Sequence, residues 1–304
     1  MSSDTLRRAA IDVGSNTTRL LVAELDGDGI ASELARDMRI TGLARGFDGR
    51  RLAADSLARV RATILEYRDL ARRLGCSSVV VGFTGVARRA RNITPLLDEL
   101  NGLDGVRAFV LSEEQEARCS ARGVAARTGR RRFLLVDVGG GSTEIAAVGD
   151  EFEYESFPVG TVELEERYGL RGVVPSKVIG EMKRDVCSRL AKAGRWSRLV
   201  LPLFANAATA TICAYILLGL NSWNSDAIEG FEVGASDIER LVRELCSLDE
   251  SQRVGRYPIL RGRERVFICG LVVLACALEV LGRREFVVTE GSVLEGLLFF
   301  DSDG

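Results

Sequence analysis

Two segments of this chain repeat one pattern: a short apolar strand, Asp-x-Gly, a polar turn and a returning strand. The first is Ala9-Ala10-Ile11-Asp12-Val13-Gly14-Ser15-Asn16-Thr17-Thr18, running on through Arg19-Leu20-Leu21-Val22-Ala23-Glu24-Leu25. The second is Phe133-Leu134-Leu135-Val136-Asp137-Val138-Gly139-Gly140-Gly141-Ser142-Thr143-Glu144, continued by Ile145-Ala146-Ala147-Val148. Glycine frees the backbone to turn tightly and to aim main-chain N–H groups into one concavity, which suits phosphate oxygens. Acidic residues flanking such a loop repel phosphate unless a divalent cation lies between, so the second segment points to Mg²⁺ and phosphate together. One copy alone is equally well read as a β-turn with an Asp cap. Two copies in matching strand context imply two related half-domains facing each other across a phosphate.

A length of 304 residues suits two domains of about 150 residues each. Apolar residues make up 46% and charged residues 28%, ordinary for a water-soluble chain. With 41 basic against 43 acidic side chains the net charge is −2, so no bulk field recruits nucleic acid or anionic lipid. No apolar stretch reaches the ~20 residues of a membrane span, and no secretory signal pattern opens the chain. Seven cysteines without a C-x-x-C pair read as buried thiols of a cytoplasmic protein. The chain has no histidine, which excludes Ser-His-Asp and Cys-His catalysis and His-ligated zinc. A general base here must be a carboxylate, a lysine or a tyrosine.

Between the two loops, Leu57, Val60, Ile64, Tyr67, Ala71 and Leu74 step by three and four before Gly75, predicting an amphipathic helix. Residues 78–83 and 106–111 read as buried strands. Ser112-Glu113-Glu114-Gln115 has capping-box spacing and predicts a helix to about Ala126. Further on, residues 158–161 read as a loop, 176–193 as a helix, and 199–204 as a strand broken or put at an edge by Pro202. Residues 266–281 read as a core helix, 286–289 as a strand and 293–300 as a closing helix. These alternations give an α/β architecture in each half.

Four ordered motifs resemble those of the exopolyphosphatase / guanosine pentaphosphate phosphohydrolase family. They are Asp12-Val13-Gly14-Ser15-Asn16-Thr17, Thr84-Gly85-Val86-Ala87-Arg88 with the run to Asn92, Leu111-Ser112-Glu113-Glu114-Gln115-Glu116-Ala117-Arg118, and Asp137 through Glu144. The resemblance implies two ribonuclease-H-like domains of the actin/Hsp70/sugar-kinase superfamily enclosing a cleft, in the short two-domain form. The domains are set at 1–122, completed by a C-terminal helix at 293–304, and at 123–292. It implies an Mg²⁺-dependent hydrolase releasing terminal phosphate from polyphosphate or guanosine pentaphosphate. Glu116 matches the base that activates water, with Asp137 beside it in the catalytic set. Asp137 and Glu144 match positions for Mg²⁺ or water positioning. Asp12, Gly14, Ser15, Asn16, Thr84, Arg88, Gly139, Gly140, Gly141 and Ser142 match phosphate-binding positions. The family also makes a homodimer an expectation, with no interface signature in the sequence.

Several departures remove positive charge or backbone room. Gly42 stands where the family has an arginine, leaving Arg39 or Arg45 to supply a charge from a different strand face or loop position. Glu163 and Leu294 also stand at arginine positions, Arg265 at a common aspartate, and Ala207-Ala208 where two glycines are usual. A polyanion channel needs several cationic contacts, so the losses argue for a shorter or different phosphoanhydride, or for weak activity. The rival reading is a regulatory phosphate or nucleotide sensor of the same fold. A sugar or acetate kinase comes last, because the Glu116 motif belongs to the phosphatases and fold alone decides nothing.

Overall fold

The computed structural model describes residues 6–220 and 224–300. It divides into two compact units, one running to Gly129 and resuming at Gly291, the other Arg130–Glu290.

The strands of the first unit are β1 (Leu6–Val13), β2 (Thr17–Asp26), β3 (Gly29–Ile40), β4 (Ser78–Phe83) and β5 (Val106–Val110). Its helices are α1 (Ala54–Arg73), α2 (Thr94–Asn101) and α3 (Glu113–Thr128), with a tight 3₁₀ turn at Gly85–Arg89. The sheet order is β3-β2-β1-β4-β5: an antiparallel meander of β1 to β3, with β4 and β5 added parallel to β1. The last five residues of β1 are all buried because both faces of this central strand are covered. Successive side chains alternate between faces. Ile11 and Val13 join the cluster with Val60, Ile64 and Tyr67 of α1, and Ala10 joins Cys119 of α3. The predicted stripe on α1 is the one that is buried, and the Ser112–Gln115 capping box is formed.

The second unit contains β6 (Phe133–Val138), β7 (Thr143–Val148), β8 (Phe152–Phe157), β9 (Leu203–Asn206), β10 (Glu232–Gly234) and β11 (Glu285–Val288). Helices α4 (Thr161–Tyr168), α5 (Ser176–Leu190), α6 (Ala207–Leu217), α7 (Ser225–Ile228), α8 (Ala235–Cys246), α9 (Glu250–Arg256) and α10 (Val266–Val280) complete it. The order β10-β11-β9-β6-β7-β8 contains the same arrangement, β6 to β8 as the meander and β9 and β11 parallel to β6. The two related half-domains expected from the repeated motif, ribonuclease-H-like as the family resemblance implies, are therefore both present.

The chain returns to the first unit as α11 (Val293–Leu297), which packs on α3. Their backbones touch: a Cβ on Gly123 would lie 2.1 Å from the Ser292 carbonyl oxygen, and one on Gly296 would lie 1.9 Å from that of Cys119. Beside this crossing Glu295 is fully buried against Arg36 of β3 (2.6 Å) and Arg127 of α3 (3.5 Å), and Ser292 donates to its Oε2 at 2.7 Å. Helix α3 runs through the boundary set at 122–123 and stops at Gly129, which is left-handed with φ 67°.

Candidate active site

The first expected loop is the turn between β1 and β2. The Gly14 N–H donates to the Thr17 carbonyl at 2.9 Å, closing the hairpin with Ser15 and Asn16 at its tip. Counting outward from that tip, Asp12 falls opposite Arg19. Arg19 donates to Asp12 Oδ2 from Nε at 3.0 Å and from Nη2 at 2.5 Å, and Asp12 is only 5% exposed. Its Oδ1 is buried and accepts no hydrogen bond among the described residues. Asp12 thus lies beneath the loop as half of an ion pair, while the residues at the surface are Ser15 and Asn16.

The parallel strands β1, β4 and β5 end side by side, where open α/β sheets gather their ligand loops. Thr84 donates its N–H to the Val13 carbonyl at 3.0 Å, and Ser15 Oγ accepts from the Val86 N–H at 3.1 Å. The 3₁₀ turn that follows carries Arg88, whose Nη1 donates to Glu116 Oε2. Glu116 lies in the first turn of α3, held there by the Ser112 cap. Seven expected residues, Asp12, Gly14, Ser15, Asn16, Thr84, Arg88 and Glu116, therefore share one edge of the first unit. A carboxylate there, paired with an arginine beside an amide-lined turn, can orient and deprotonate water next to a phosphoryl group.

In the second unit the same turn recurs with different chemistry. The Gly139 N–H donates to the Ser142 carbonyl at 2.9 Å, placing Gly140 and Gly141 at the tip and Asp137 opposite Glu144. Among the described residues the amides of Gly140 and Gly141 have no protein acceptor. Their loop carbonyls are used instead: those of Gly139 and Gly140 accept from Thr161 and Val162 at 3.0 and 2.8 Å, capping α4. The expected loop at 158–161 is thus only the entry to a helix, and Gly160 is its N-cap. Both Ser142 Oγ (2.6 Å) and Ser156 Oγ (2.7 Å) donate to Glu144 Oε1, so nothing described donates to Oε2. Two facing carboxylates beside outward amides fit Mg²⁺, which takes one or two carboxylates and fills the rest of its octahedron with water and phosphate. No group of three or more acidic, cysteine or histidine side chains converges among the described residues, so a closed protein cage for a metal is not formed there.

The model of the Ppx/GppA phosphatase family matches residues 21–303. The chain belongs to that family. Exopolyphosphatase 2 of Mycobacterium tuberculosis is 29% identical over 311 residues, covering 96% of this chain and 97% of the relative. The crystal structure of the Aquifex aeolicus Ppx/GppA family member superposes with a TM-score of 0.87 at 23% identity, covering 96% of each chain. An exopolyphosphatase structure from Cytophaga hutchinsonii gives 0.79 at 20% identity, again covering 96% of each. Both structural likenesses speak to the fold.

The departures from the family pattern now have positions. Leu294 is 1% exposed in the core between α3 and α11, where it has no access to an anion. Glu163, at the start of α4, is held by Arg167 (2.9 Å) and Arg189 (3.1 Å), with Asp185 also on both arginines. Arg265 pairs with Glu165 at 3.0 Å. Ala207 has φ 61°, the left-handed conformation that a methyl group disfavours, and it follows Asn206, the β9 neighbour of Asp137. Arg39 is committed to Glu66 and Asp37. Arg19, Ser156 and the capping role of Gly160 were missed from sequence. The first was within reach, because a turn at Ser15–Asn16 puts residues 12 and 19 opposite each other.

No helix among the described residues is long and apolar enough to cross a membrane.

Proposed function

We propose that this protein is an Mg²⁺-dependent phosphoanhydride hydrolase that releases terminal phosphate from a short polyphosphate, with Glu116 as the base. The observation carrying this reading is the Glu116–Arg88–Ser15 edge of the first unit: one 3₁₀ turn engages both the base and the loop. Water attacks the terminal phosphorus, its proton passes to the Glu116 carboxylate, and the P–O anhydride bond breaks with the electron pair leaving on the shortened chain. Asp137 and Glu144 would hold the cation, which supplies charge neutralisation at the phosphates when bound.

The name of the Mycobacterium relative supports polyphosphate over guanosine pentaphosphate. The burial of Leu294 and the closed ion network around Glu163 support a short chain over a long one. A binding-only sensor has one observation in its favour, the Arg88 ion pair that occupies Glu116.

The test is phosphate release from tripolyphosphate, long polyphosphate and guanosine pentaphosphate, with Mg²⁺ and with chelator, alongside Glu116→Gln. Release from tripolyphosphate that needs Mg²⁺ and falls about 10²–10⁴-fold in the variant is expected. Tight binding without turnover would establish the sensor, and undiminished release by the variant would remove Glu116 from the mechanism.

A further inference from the structure

We infer that Arg45 is a substrate-contacting, specificity-determining residue: its guanidinium binds a phosphoryl group of the phosphoanhydride over the Ser15–Asn16 loop. The inference rests on the phosphoanhydride reading above and assigns to Arg45, rather than to the paired Arg39, a contact with the substrate.

The turn carrying Arg45 is stitched to that loop. The Gly42 N–H donates to the Asn16 carbonyl at 2.9 Å and the Ala44 N–H to the Ser15 carbonyl at 2.8 Å. The Arg45 N–H closes onto the Gly42 carbonyl at 3.0 Å, and Ser56 Oγ donates to the Arg45 carbonyl at 3.0 Å. The backbone of Arg45 is therefore pinned from both sides.

Its side chain folds back across Gly42. A Cβ built on Gly42 would lie 2.7 Å from both Cδ and Nε of Arg45 and 3.0 Å from Cγ. Gly42 is also left-handed, with φ 61°, so glycine there serves the turn and the bed for the arginine stem at once. Any side chain at position 42 would displace Arg45.

Four nearby arginines are paired, Arg19 with Asp12, Arg88 with Glu116, Arg39 with Glu66, and Arg59 with Asp55 and the Thr41 carbonyl, and Arg89 lies over the Phe47 ring. Arg45 is exposed, and among the described residues its guanidinium makes no hydrogen bond or ion pair. The amides of Ser15 and Asn16 likewise have no protein acceptor among them. An uncommitted guanidinium anchored beside outward backbone amides is the donor set that a phosphate group takes, several N–H bonds converging on one anion.

The experiment compares wild type, Arg45→Gln and Arg45→Lys in steady-state hydrolysis of tripolyphosphate with Mg²⁺. Arg73→Gln, an exposed arginine on α1, serves as the charge-matched control. Loss of a charge-assisted bond should raise KM about tenfold or more in Arg45→Gln, leaving kcat within about twofold, with Arg45→Lys between. Thermal unfolding should not move, since the side chain supports no other group. Wild-type turnover with an unchanged KM in Arg45→Gln, or a KM change matched by Arg73→Gln, overturns this inference alone. A wild-type protein that neither binds nor hydrolyses tripolyphosphate defeats the phosphoanhydride reading, and the role of Arg45 falls with it.

Discussion

Ala207 and Ala208 are adjacent alanines at the start of α6, and glycine at position 207 should leave the protein more stable than glycine at position 208. Ala207 is held at φ 61°, whereas Ala208 has no positive φ. The left-handed conformation costs an L-residue about 1–2 kcal/mol, a cost glycine escapes. Glycine in turn loses about 0.5–1 kcal/mol through its freer unfolded chain. Half-burial of the Ala207 methyl accounts for about another 0.4 kcal/mol at most. The balance for Ala207→Gly runs from a loss of about 0.4 kcal/mol to a gain of about 1.1 kcal/mol, with its middle on the side of a gain. For Ala208→Gly, where nothing is relieved, it is a loss of about 0.5–1 kcal/mol. With a urea slope of about 2 kcal/mol/M, the two variants should have unfolding midpoints separated by roughly 0.3–0.7 M. Both tryptophans, Trp196 and Trp223, lie in the second unit by sequence, so their fluorescence follows the unit that contains the substitutions. Equal losses in the two variants would show that Ala207 carries no strain and would remove the physical account of its departure from glycine.

Two further outcomes test the packing. Gly160→Ala should destabilise the second unit by more than about 2 kcal/mol and disturb the phosphate loop, because its Cβ would lie 2.3 Å from the Gly140 carbonyl oxygen and 2.4 Å from the Gly140 and Gly141 carbonyl carbons. Calorimetric unfolding and a crystal structure of the variant would check this; a native-like melting temperature with an unmoved loop would contradict it. Burial works against the Glu295 charge, but Arg36 and Arg127 outweigh it and hold the carboxyl below its ordinary value. A depressed carboxylate contributes stability that is present above about pH 4.5 and lost as pH falls through its lower value in the folded protein. Glu295→Gln should therefore cost about 1–3 kcal/mol near neutrality, since Arg36 and Arg127 lose their buried charged partner but keep Glu33. The gap to wild type should narrow below pH 4, as read from urea midpoints across pH; a gap independent of pH would mean that the cluster acts by packing alone.

What was legible from sequence was whatever carried its own local signal. The α1 stripe and the Ser112 capping box could be placed because helical spacing and a capping side chain are encoded within a few residues. β3 and β8 went unread because their side chains are mostly exposed or half-buried, so no alternating apolar pattern exists, and their partner strands supply the order. The strand expected at 199–204 begins only at Leu203, since Pro202 can offer its carbonyl to Leu134 but has no N–H for a ladder. Helix α4 was hidden for a related reason: it buries only Thr161 and Leu164, and its N-terminus is capped by carbonyls from a distant loop. At the site, the sequence motifs named seven residues that the structure gathers at one edge of the first unit, but not their pairings. That Arg88 holds Glu116, or that Arg45 lies across Gly42, depends on chain segments brought together by the sheet.

The repeated hairpin shows how one backbone solution carries two chemistries. In both copies the tip is two residues long and the Asp lies three positions before it, so the residue three positions after the tip is its cross-strand neighbour. Cross-strand neighbours on one face are the pairs whose charges interact most directly in a sheet. In the first copy that neighbour is Arg19, and the carboxylate is neutralised from within, which removes the repulsion a phosphate would otherwise meet at the loop above it. In the second copy it is Glu144, so two carboxylates lie opposite each other, and Ser142 and Ser156 donate to Glu144 Oε1. A pair of that kind calls for a cation, whereas the first copy, with Arg88 and Arg45 beside it, calls for an anion. On the function proposed above, the exchange of Arg for Glu at this hairpin position would separate a unit that takes phosphate from one that takes a cation, although their sheets are wound alike.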